Sequence, residues 1–385
     1  MNYFLYNPAT QYDNTGDLLI NKALVALLRK HGQVIIDDND KPESFLSQLL
    51  TEDDQRLSAI TDKRLFNFIE HRLNESAPSS SDTYYLVFVP GDLSVSGFKS
   101  ALSRLRFFYR RLRKLNQMGC RILRLGISLN TFDLSNMLVE SLYSRAYEVY
   151  GIRDQRSMAK ASRFRFSHVH YFPDLAWAFD AASIQKTNPL PVDLGDYIVL
   201  SFRTNKHGIV HDHIYLKRIA DKLRVILSEM KPQPKLVFSY QVKHDEQATQ
   251  ELAGLFAADF KVCLCNQTLD LSGALGLYTG ARFILSNRLH VLLLGVLADT
   301  LSIPFVNGAD NKKITAIFED NNLGDLILDY GEKAQQLTAK FHHIVERSPA
   351  IVGEMRRITA INREQIDQRL SELIASSQVP STSLG

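Results

Sequence analysis

The segment SNRLHVLLLG (286–295) places a cation and an imidazole between two apolar stretches. The preceding RFILS (282–286) predicts a buried strand, and the apolar run after it predicts a buried helix. Arg288 and His290 therefore stand where the chain turns from strand to helix. Histidine exchanges protons near neutral pH, and arginine binds carboxylates or phosphates through paired hydrogen bonds. The pattern indicates acid–base chemistry beside a bound anion; the alternative is a histidine that caps or packs against the helix.

A second arginine occupies an equivalent position. Arg203 directly follows the apolar run YIVLSF (197–202). Its guanidinium has the geometry to hold a carboxylate or a phosphate through two parallel hydrogen bonds. The alternative is an exposed loop charge. The nearby histidines of HGIVHDH (207–213) are interpreted as loop residues without a ligand role, so no metal site is expected.

Strand-like and helix-like patterns alternate through most of the chain. Short apolar runs rich in β-branched and aromatic residues are separated by amphipathic stretches, which predicts parallel sheets covered on both faces. The predicted strands are residues 3–7, 33–37, 84–89, 121–128, 147–152 and 169–172 in the first half, and residues 197–202, 235–240, 261–265, 282–286 and 304–306 in the second.

The alternation breaks once, in the proline-containing stretch at about 180–196. We therefore expect an α/β protein with two doubly wound Rossmann-like domains that face each other across a cleft. The expected division is an N-terminal domain at 1–182, a C-terminal domain at 196–345, a helical segment at 346–375 and a disordered tail at 376–385. Ligands of such sheets bind beyond the carboxyl ends of the strands.

Three strand ends of the first domain carry polar residues. Asn14 and Asp17 lie in NTGDLLI, where a helix start can hold an anion or a sugar hydroxyl, or where the side chains merely cap the helix. Asp92 lies in the turn-like PGDL. Arg153 follows YEVYGI and either faces the cleft or pairs locally with Asp154.

Composition excludes several classes of protein. A net charge of +3 over 385 residues gives no reason to expect nucleic acid as a partner. Three cysteines fit a reducing compartment. The N-terminus does not resemble a signal peptide, and no apolar run approaches the roughly 20 residues of a membrane span. A cytoplasmic protein is expected.

One helix-like segment, residues 97–119, is strongly basic. Its apolar residues recur at helical spacing, at positions 98, 101, 102, 105, 108, 112 and 115. The other face carries Lys99, Arg104, Arg106, Arg110, Arg111, Arg113 and Lys114 and no acid. The plainer interpretation is a core-facing helix with a solvated face. The alternative is peripheral contact of the helix at 98–115 with anionic lipid at the inner face of the cell membrane, or with a polyanionic glycan.

Taken in order, the strand-end motifs resemble those of the polysaccharide pyruvyltransferase family. The motifs are NTGDLLI (14–20), GIRDQRS (151–157), FPDLA (172–176), SFRTN (201–205) and SNRLHVLLLGVLADTLSIPFVN (286–307). The stretch NKKITAIFEDNNLGDLI (311–327) fits the closing segment of the family. The chain departs from the family at PGDL, where a glycine-rich run is common.

The resemblance implies a fold like that of GT-B glycosyltransferases and transfer of pyruvate from phosphoenolpyruvate to a sugar of a surface or exopolysaccharide precursor. The product would be a cyclic ketal, and the acceptor glycan is a candidate for lipid linkage. It implies phosphoenolpyruvate binding by Arg203, Arg288 and Leu289, proton transfer by His290, and an acceptor side formed by Asn14, Asp17, Asp92 and Arg153. No cofactor other than the donor substrate is expected.

Two alternatives of other kinds remain open. One is a GT-B-type glycosyltransferase with a nucleotide-sugar donor. The other is a non-catalytic glycan-binding relative that keeps the fold.

Overall fold

The computed structural model describes residues 1–75, 82–190, 192–205 and 210–376. The chain forms two compact units. Unit 1 comprises residues 1–12, 20–178 and those from 362 onward, and unit 2 comprises residues 13–19 and 179–361. Residues 13–19, which we expected in the N-terminal domain, thus group with unit 2, and the expected C-terminal helical segment divides at residue 362.

Of the expected disordered tail at 376–385, only residue 376 is among the described residues. Ser376 ends a helix, and residues 377–385 lie outside the described residues, as does His207.

Unit 1 is built on one parallel sheet of eight strands. The strand order is β3-β2-β1-β4-β6-β7-β8, and β5 also pairs with β6. The strands are β1 (Asn2–Tyr6), β2 (Gln33–Ile36), β3 (Gln55–Arg56), β4 (Thr83–Phe88), β5 (Gly91–Val95), β6 (Arg121–Phe132), β7 (Val149–Ile152) and β8 (Val169–Tyr171).

Helices connect these strands. They are α1 (Thr15–Arg29), α2 (Glu43–Leu49), α3 (Leu57–Ile60), α4 (Leu65–Glu75), α5 (Phe98–Ser103), α6 (Arg110–Gln117), α7 (Leu134–Ser144) and α8 (Gln155–Arg163). A π-helical segment, Arg104–Tyr109, joins α5 to α6, and a 3₁₀ turn follows β8 at Leu175–Ala178. Because of the unit boundary, the first turn of α1 belongs to unit 2.

Unit 2 has a six-stranded parallel sheet in the order β11-β10-β9-β12-β13-β14. Its strands are β9 (Tyr197–Ser201), β10 (Lys235–Tyr240), β11 (Val262–Thr268), β12 (Ile284–Ser286), β13 (Ser302–Val306) and β14 (Leu328–Asp329). Its helices are α9 (His213–Ser228), α10 (Glu246–Phe256), α11 (Leu271–Thr279), α12 (Leu289–Leu297), α13 (Lys312–Asp320), α14 (Ala334–Glu346) and α15 (Ser348–Ser376), the last of which ends in unit 1.

Both sheets have doubly wound topology, which confirms the predicted α/β class with two Rossmann-like domains. In each, the chain builds outward from a central strand and then returns to build on its other side. The reversal falls between β1 and β4 in unit 1 and between β9 and β12 in unit 2. Ligand crevices of such sheets form at this reversal, because the crossovers there depart in opposite directions.

The short strands β3, β5 and β14 were not predicted. PGDL was expected to be a turn, yet Gly91 and Asp92 begin β5 and pair with Ile127 and Ser128 of β6. Gly91 has a φ of +99°, a backbone conformation that favours glycine, so the tight bend after β4 ends directly in a strand.

None of the helices in the described part of the chain combines the length and hydrophobicity that a membrane crossing requires.

A buried ionic cluster stabilises unit 1. Glu140 of α7 is fully buried and accepts hydrogen bonds from Arg124 (3.2 Å), from the Tyr150 hydroxyl (2.7 Å) and from Arg104. The Arg124 guanidinium lies over the rings of Phe88 and Tyr150, at 5.0 and 5.9 Å from their centroids. Glu140 therefore balances the charge of a largely buried guanidinium.

Replacing Glu140 by alanine is predicted to lower the free energy of unfolding by about 3–5 kcal/mol, because it leaves a buried guanidinium uncompensated. Glu70→Ala is the matched control. Glu70 meets Arg111 and Lys114 at the surface, and its loss should cost about 1 kcal/mol or less. Urea unfolding measures both; equal losses would contradict a structural role for the buried cluster.

Candidate active site

The carboxyl ends of β9 and β12 form the centre of the candidate site. The two strands are direct neighbours, with Ser286 opposite Ser201. The Ser286 hydroxyl donates a hydrogen bond to the Ser201 carbonyl at 2.5 Å. The residues that follow, Arg203 and Arg288, therefore leave the sheet side by side at the reversal of strand order.

Asn287 fixes the spacing between these two strand ends. Its side-chain Oδ1 accepts a hydrogen bond from the Arg203 backbone N–H at 2.8 Å, and its Nδ2 donates to the Tyr215 hydroxyl at 2.7 Å. Asn287 is fully buried. Burial raises the pKa of Tyr215, and the charge of Arg203 acts against that rise. Asn287 thus holds Arg203 against the SNRLH segment.

Arg288 is held by a buried carboxylate. It is the N-cap residue of α12 but makes no side-chain capping bond. Its Nη2 forms an ion pair with Asp245 and lies 3.3 Å from Nε2 of His244. Asp245 also accepts the Thr204 N–H at 3.1 Å. Both side-chain partners meet Nη2, which leaves Nη1 without an acceptor among the described residues, and the side chain keeps 16% exposure.

His290 lies in the first turn of α12, against the first turn of α1. A Cβ added to Gly16 would lie 2.4 Å from His290 Nδ1 and 2.8 Å from its Cβ. Only a glycine therefore leaves room for the imidazole. This contact gives a physical reason for the glycine of NTGD in a chain that also carries RLH. The contact lies within unit 2, because residues 13–19 belong to that unit.

The NTGD segment is anchored by its own polar residues. Asn14 Oδ1 accepts the N–H groups of Gly16 (2.9 Å) and Asp17 (3.4 Å), so Asn14 caps α1. The Thr15 N–H donates to the Gln241 carbonyl at 3.1 Å. The expectation that Asn14 and Asp17 line an N-terminal wall is therefore wrong in placement. The segment that carries them groups with unit 2, and their acceptor role stays a prediction.

The guanidinium of Arg153 is hydrogen-bonded to three side chains of unit 1. It is buried, and its Nη1, Nη2 and Nε donate to Asp174 (2.6 Å), Asp92 (2.6 Å) and Ser128 (2.9 Å). The expectation that Arg153 faces an acceptor is corrected, because its donors are directed at these groups. Asp154, the predicted local partner, instead caps α8. Asp92 remains exposed on one side, although its carboxylate is paired.

Leu289 begins α12 and its side chain is buried. Any contact it makes with a ligand therefore involves its backbone. The start of a helix favours anions, because its first N–H groups point outward and carry partial positive charge.

Sequence reasoning missed His244 and Asp245. They form the 3₁₀ turn Lys243–Asp245 that follows β10, the neighbour of β9. The sequence did contain an indication of them, since QVKHD (241–245) follows the predicted strand KLVFSY. Because ligands bind beyond the carboxyl ends of strands, both residues could have been proposed as site residues. Within the described residues, no group of three or more His, Cys, Asp or Glu side chains is arranged to hold a metal ion.

A family model described as polysaccharide pyruvyl transferase matches residues 14–308, a span that includes NTGD, Arg203 and SNRLH. The chain belongs to the polysaccharide pyruvyl transferase family. No curated protein sequence matches significantly.

Solved structures are similar in fold. UDP-GlcNAc 2-epimerase from Neisseria meningitidis, bound to UDP-GlcNAc, is 11% identical with a TM-score of 0.58, and the match covers 98% of this chain and 100% of that one. An O-GlcNAc transferase mutant from Thermobaculum terrenum is 12% identical, with a TM-score of 0.53 and coverage of 98% and 67%. An Arabidopsis thaliana protein complexed with UDP-L-rhamnose is 11% identical, with a TM-score of 0.51 and coverage of 98% and 99%. These likenesses confirm a GT-B-like fold.

The contact between Gly16 and His290 yields a prediction for this pyruvyl transferase family member. Gly16→Ala should displace the imidazole, lower the free energy of unfolding by about 1–3 kcal/mol through overpacking, and reduce transferase activity on the order of 100-fold. Urea unfolding and turnover measure the two effects.

Gly254→Ala is the matched control, because a Cβ at Gly254 in α10 meets nothing within 4 Å. It should leave activity unchanged and stabilise the helix by roughly 0.5–1 kcal/mol. Unchanged activity in Gly16→Ala would show that the position of His290 does not matter.

Proposed function

We propose that the protein transfers pyruvate from phosphoenolpyruvate onto two hydroxyls of a sugar in a polysaccharide precursor, forming a cyclic ketal and releasing phosphate. The observation that supports this most directly is the convergence of Arg203, Arg288 and His290 at one strand-order reversal. Family membership supplies the general activity, polysaccharide pyruvylation. The donor and the ketal product are the proposed refinements.

The donor chemistry matches the charges at this edge. Phosphoenolpyruvate carries a carboxylate and a phosphate, and guanidinium groups bind both through paired hydrogen bonds. Arg203 and Arg288 emerge from neighbouring strands, and α12 begins beside them with its positive helix end. The pair with Asp245 orients Arg288 before a ligand arrives, so less side-chain entropy is lost on binding.

Ketal formation needs proton transfers at defined atoms. The methylene carbon of phosphoenolpyruvate gains one proton, the adjacent carbon forms bonds to two sugar oxygens, and the bond from that carbon to the phosphate oxygen breaks. The two hydroxyls lose two protons, one of which balances the new methyl group while the other leaves with phosphate. His290 is the proposed proton carrier, and the arginines stabilise the departing phosphate. His244, exposed beside Arg288, is a second imidazole at the same edge.

The acceptor is proposed to be a glycan of a surface or exopolysaccharide precursor. Asn14 and Asp17 lie in the segment that packs on His290 and offer polar groups to sugar hydroxyls. A glycan carried on a lipid would place the protein at the inner face of the cell membrane, and the basic segment at 98–115 supplies a surface for that contact.

The site assignment predicts selective losses. In an assay of phosphate release from phosphoenolpyruvate with lipid-linked or nucleotide-linked glycans, His290→Ala should lower kcat by roughly 10²- to 10⁴-fold, because it removes a proton carrier. Arg288→Ala should lower kcat/KM by roughly 10²- to 10³-fold, because it removes a positive charge that stabilises the departing phosphate.

His343→Ala is the control for the histidine. His343 is exposed on α14 of the same unit and contacts Arg347. Its loss should leave turnover intact. Phosphate release that survives His290→Ala and Arg288→Ala unchanged would overturn the assignment of the site.

A nucleotide-sugar glycosyltransferase is the second candidate, because structural neighbours bind UDP-sugars. A thermal-shift comparison separates the two. At ligand concentrations near 100 times the dissociation constant, phosphoenolpyruvate should stabilise the protein by about 2.7 kcal/mol. We expect Arg203→Ala to abolish that shift. Stabilisation by uridine or guanosine diphosphate alone would favour the glycosyltransferase, and glycan binding without turnover would indicate a non-catalytic relative.

A further inference from the structure

The helical segment from Phe98 to Gln117 in unit 1 leaves apolar side chains in solvent. Phe98, Leu102, Leu105 and Phe107 are 72%, 54%, 36% and 66% exposed. The first three are spaced i, i+4 and i+7, so they share one helix face. Of the apolar positions that we expected to face the core, Phe98, Leu102 and Leu105 are thus exposed. Ala101, Leu112 and Leu115 are buried, and Phe108 packs against the core. The core-facing interpretation is therefore wrong for Phe98, Leu102 and Leu105.

The π-helical segment Arg104–Tyr109 explains the difference. A π-helix has wider turns than an α-helix, so the direction of successive side chains shifts as the chain passes through it. Leu112 and Leu115 of α6 face the core, whereas Phe98 and Leu102 of α5 face solvent and only Ala101 of α5 is buried. The same residues that would complete a core stripe in a regular helix thus form a surface.

Unpaired cations lie on the same segment. Arg104 pairs with Glu140, and Arg111 and Lys114 pair with Glu70. The remaining four cations are exposed and make no ion pair within the described part of the chain: Lys99, Arg106, Arg110 and Arg113. Arg106 stacks over the exposed Phe107 ring at 5.5 Å. No acid occurs between residues 98 and 117.

The neighbouring helix α7 extends the apolar character and anchors α5. Leu134 and Leu138 of α7 are also exposed, at i, i+4 spacing. The Gly97 N–H donates to Asp133 at 2.5 Å, and Asn136 donates to the Gly97 carbonyl at 3.0 Å. The start of α5 is thereby tied to the start of α7. We define Phe98, Leu102, Leu105 and Phe107 with the four unpaired cations as the basic–apolar face.

We propose that the basic–apolar face docks unit 1 onto a bilayer surface containing anionic lipid. Exposed apolar clusters of this kind mark interaction sites, and aromatic and leucine side chains beside Lys and Arg suit the headgroup boundary of such a membrane. The bilayer satisfies both chemistries at once: acyl chains cover the apolar residues, and lipid phosphates meet the cations.

Other binding partners would match only the apolar or only the cationic residues of the basic–apolar face. A second copy of the chain would bring four cations against four cations, and that repulsion opposes association. A polyanionic glycan would neutralise the cations and leave Phe98, Leu102 and Leu105 in water. Neither alternative accounts for the apolar and cationic residues together.

The test is sedimentation of the full chain with vesicles of phosphatidylcholine that contain phosphatidylglycerol, against phosphatidylcholine alone. Binding should require phosphatidylglycerol and weaken at high salt. Arg110→Ala with Arg113→Ala should weaken it roughly 25-fold, at roughly 5-fold for each cation. Leu102→Ser with Leu105→Ser should weaken it by about 10-fold or more.

Lys217→Ala with Arg218→Ala on α9 of unit 2 is the control with the same change in charge. It should bind as the parent does. Urea midpoints should stay unchanged in all three double variants, because the substituted side chains are exposed, and phosphate release in a vesicle-free assay should also be preserved. Docking therefore stands or falls independently of the proposed reaction.

Three results would overturn the proposal. They are absence of vesicle binding, binding that neither double variant of the basic–apolar face weakens more than the control does, and a dimer in sedimentation velocity that Leu102→Ser with Leu105→Ser dissociates. The last would assign the basic–apolar face to a second copy.

Discussion

The pairing of β9 with β12 is the interaction on which the candidate site depends. Ser201 and Ser286 are 85 residues apart and become direct neighbours. Because this pair marks the reversal of strand order, the crossovers on either side depart in opposite directions and leave the carboxyl ends uncovered. The hydrogen bonds of Asn287 to the Arg203 N–H and to the Tyr215 hydroxyl then fix the positions of the two strand ends relative to each other. A shift of either strand would separate the two arginines.

The carboxylate of Asp245 positions Arg288, but its negative charge and its burial are both unfavourable. A carboxylate beside the proposed anion site would repel the anion, and its own burial is unfavourable unless it is paired. It is paired twice, by Arg288 and by the Thr204 N–H, so a single buried group positions both strand-end loops. Preorganised charges lose no orientation energy when a ligand arrives, and this is the usual origin of strong electrostatic stabilisation in enzyme sites. Gly16 serves the same end by leaving space for the ring of His290.

Sequence patterns predicted local features and failed for long-range ones. Arg203, Arg288 and His290 were selected as candidates because each lies shortly after an apolar strand, and the parallel strands β9 and β12 bring those ends to one edge. The partners of Arg153 lie 61 and 21 residues away, and no pattern indicated that they would enclose it. Nor does periodicity say against which unit the first turn of a helix packs, so Asn14 was assigned to the wrong one.

The basic segment at 98–117 shows a different limit. Its apolar residues fit a helical period throughout, and that period is what a regular helix needs to face a core. The π-helical segment Arg104–Tyr109 interrupts the regular α-helical geometry, although the apolar spacing of the sequence continues through it. A regular sequence pattern therefore gave no indication of the π-helical segment between α5 and α6. The exposed side of α5 combines the apolar side chains of Phe98 and Leu102 with the cation Lys99, whereas Ala101 of α5 and Leu112 and Leu115 of α6 face the core.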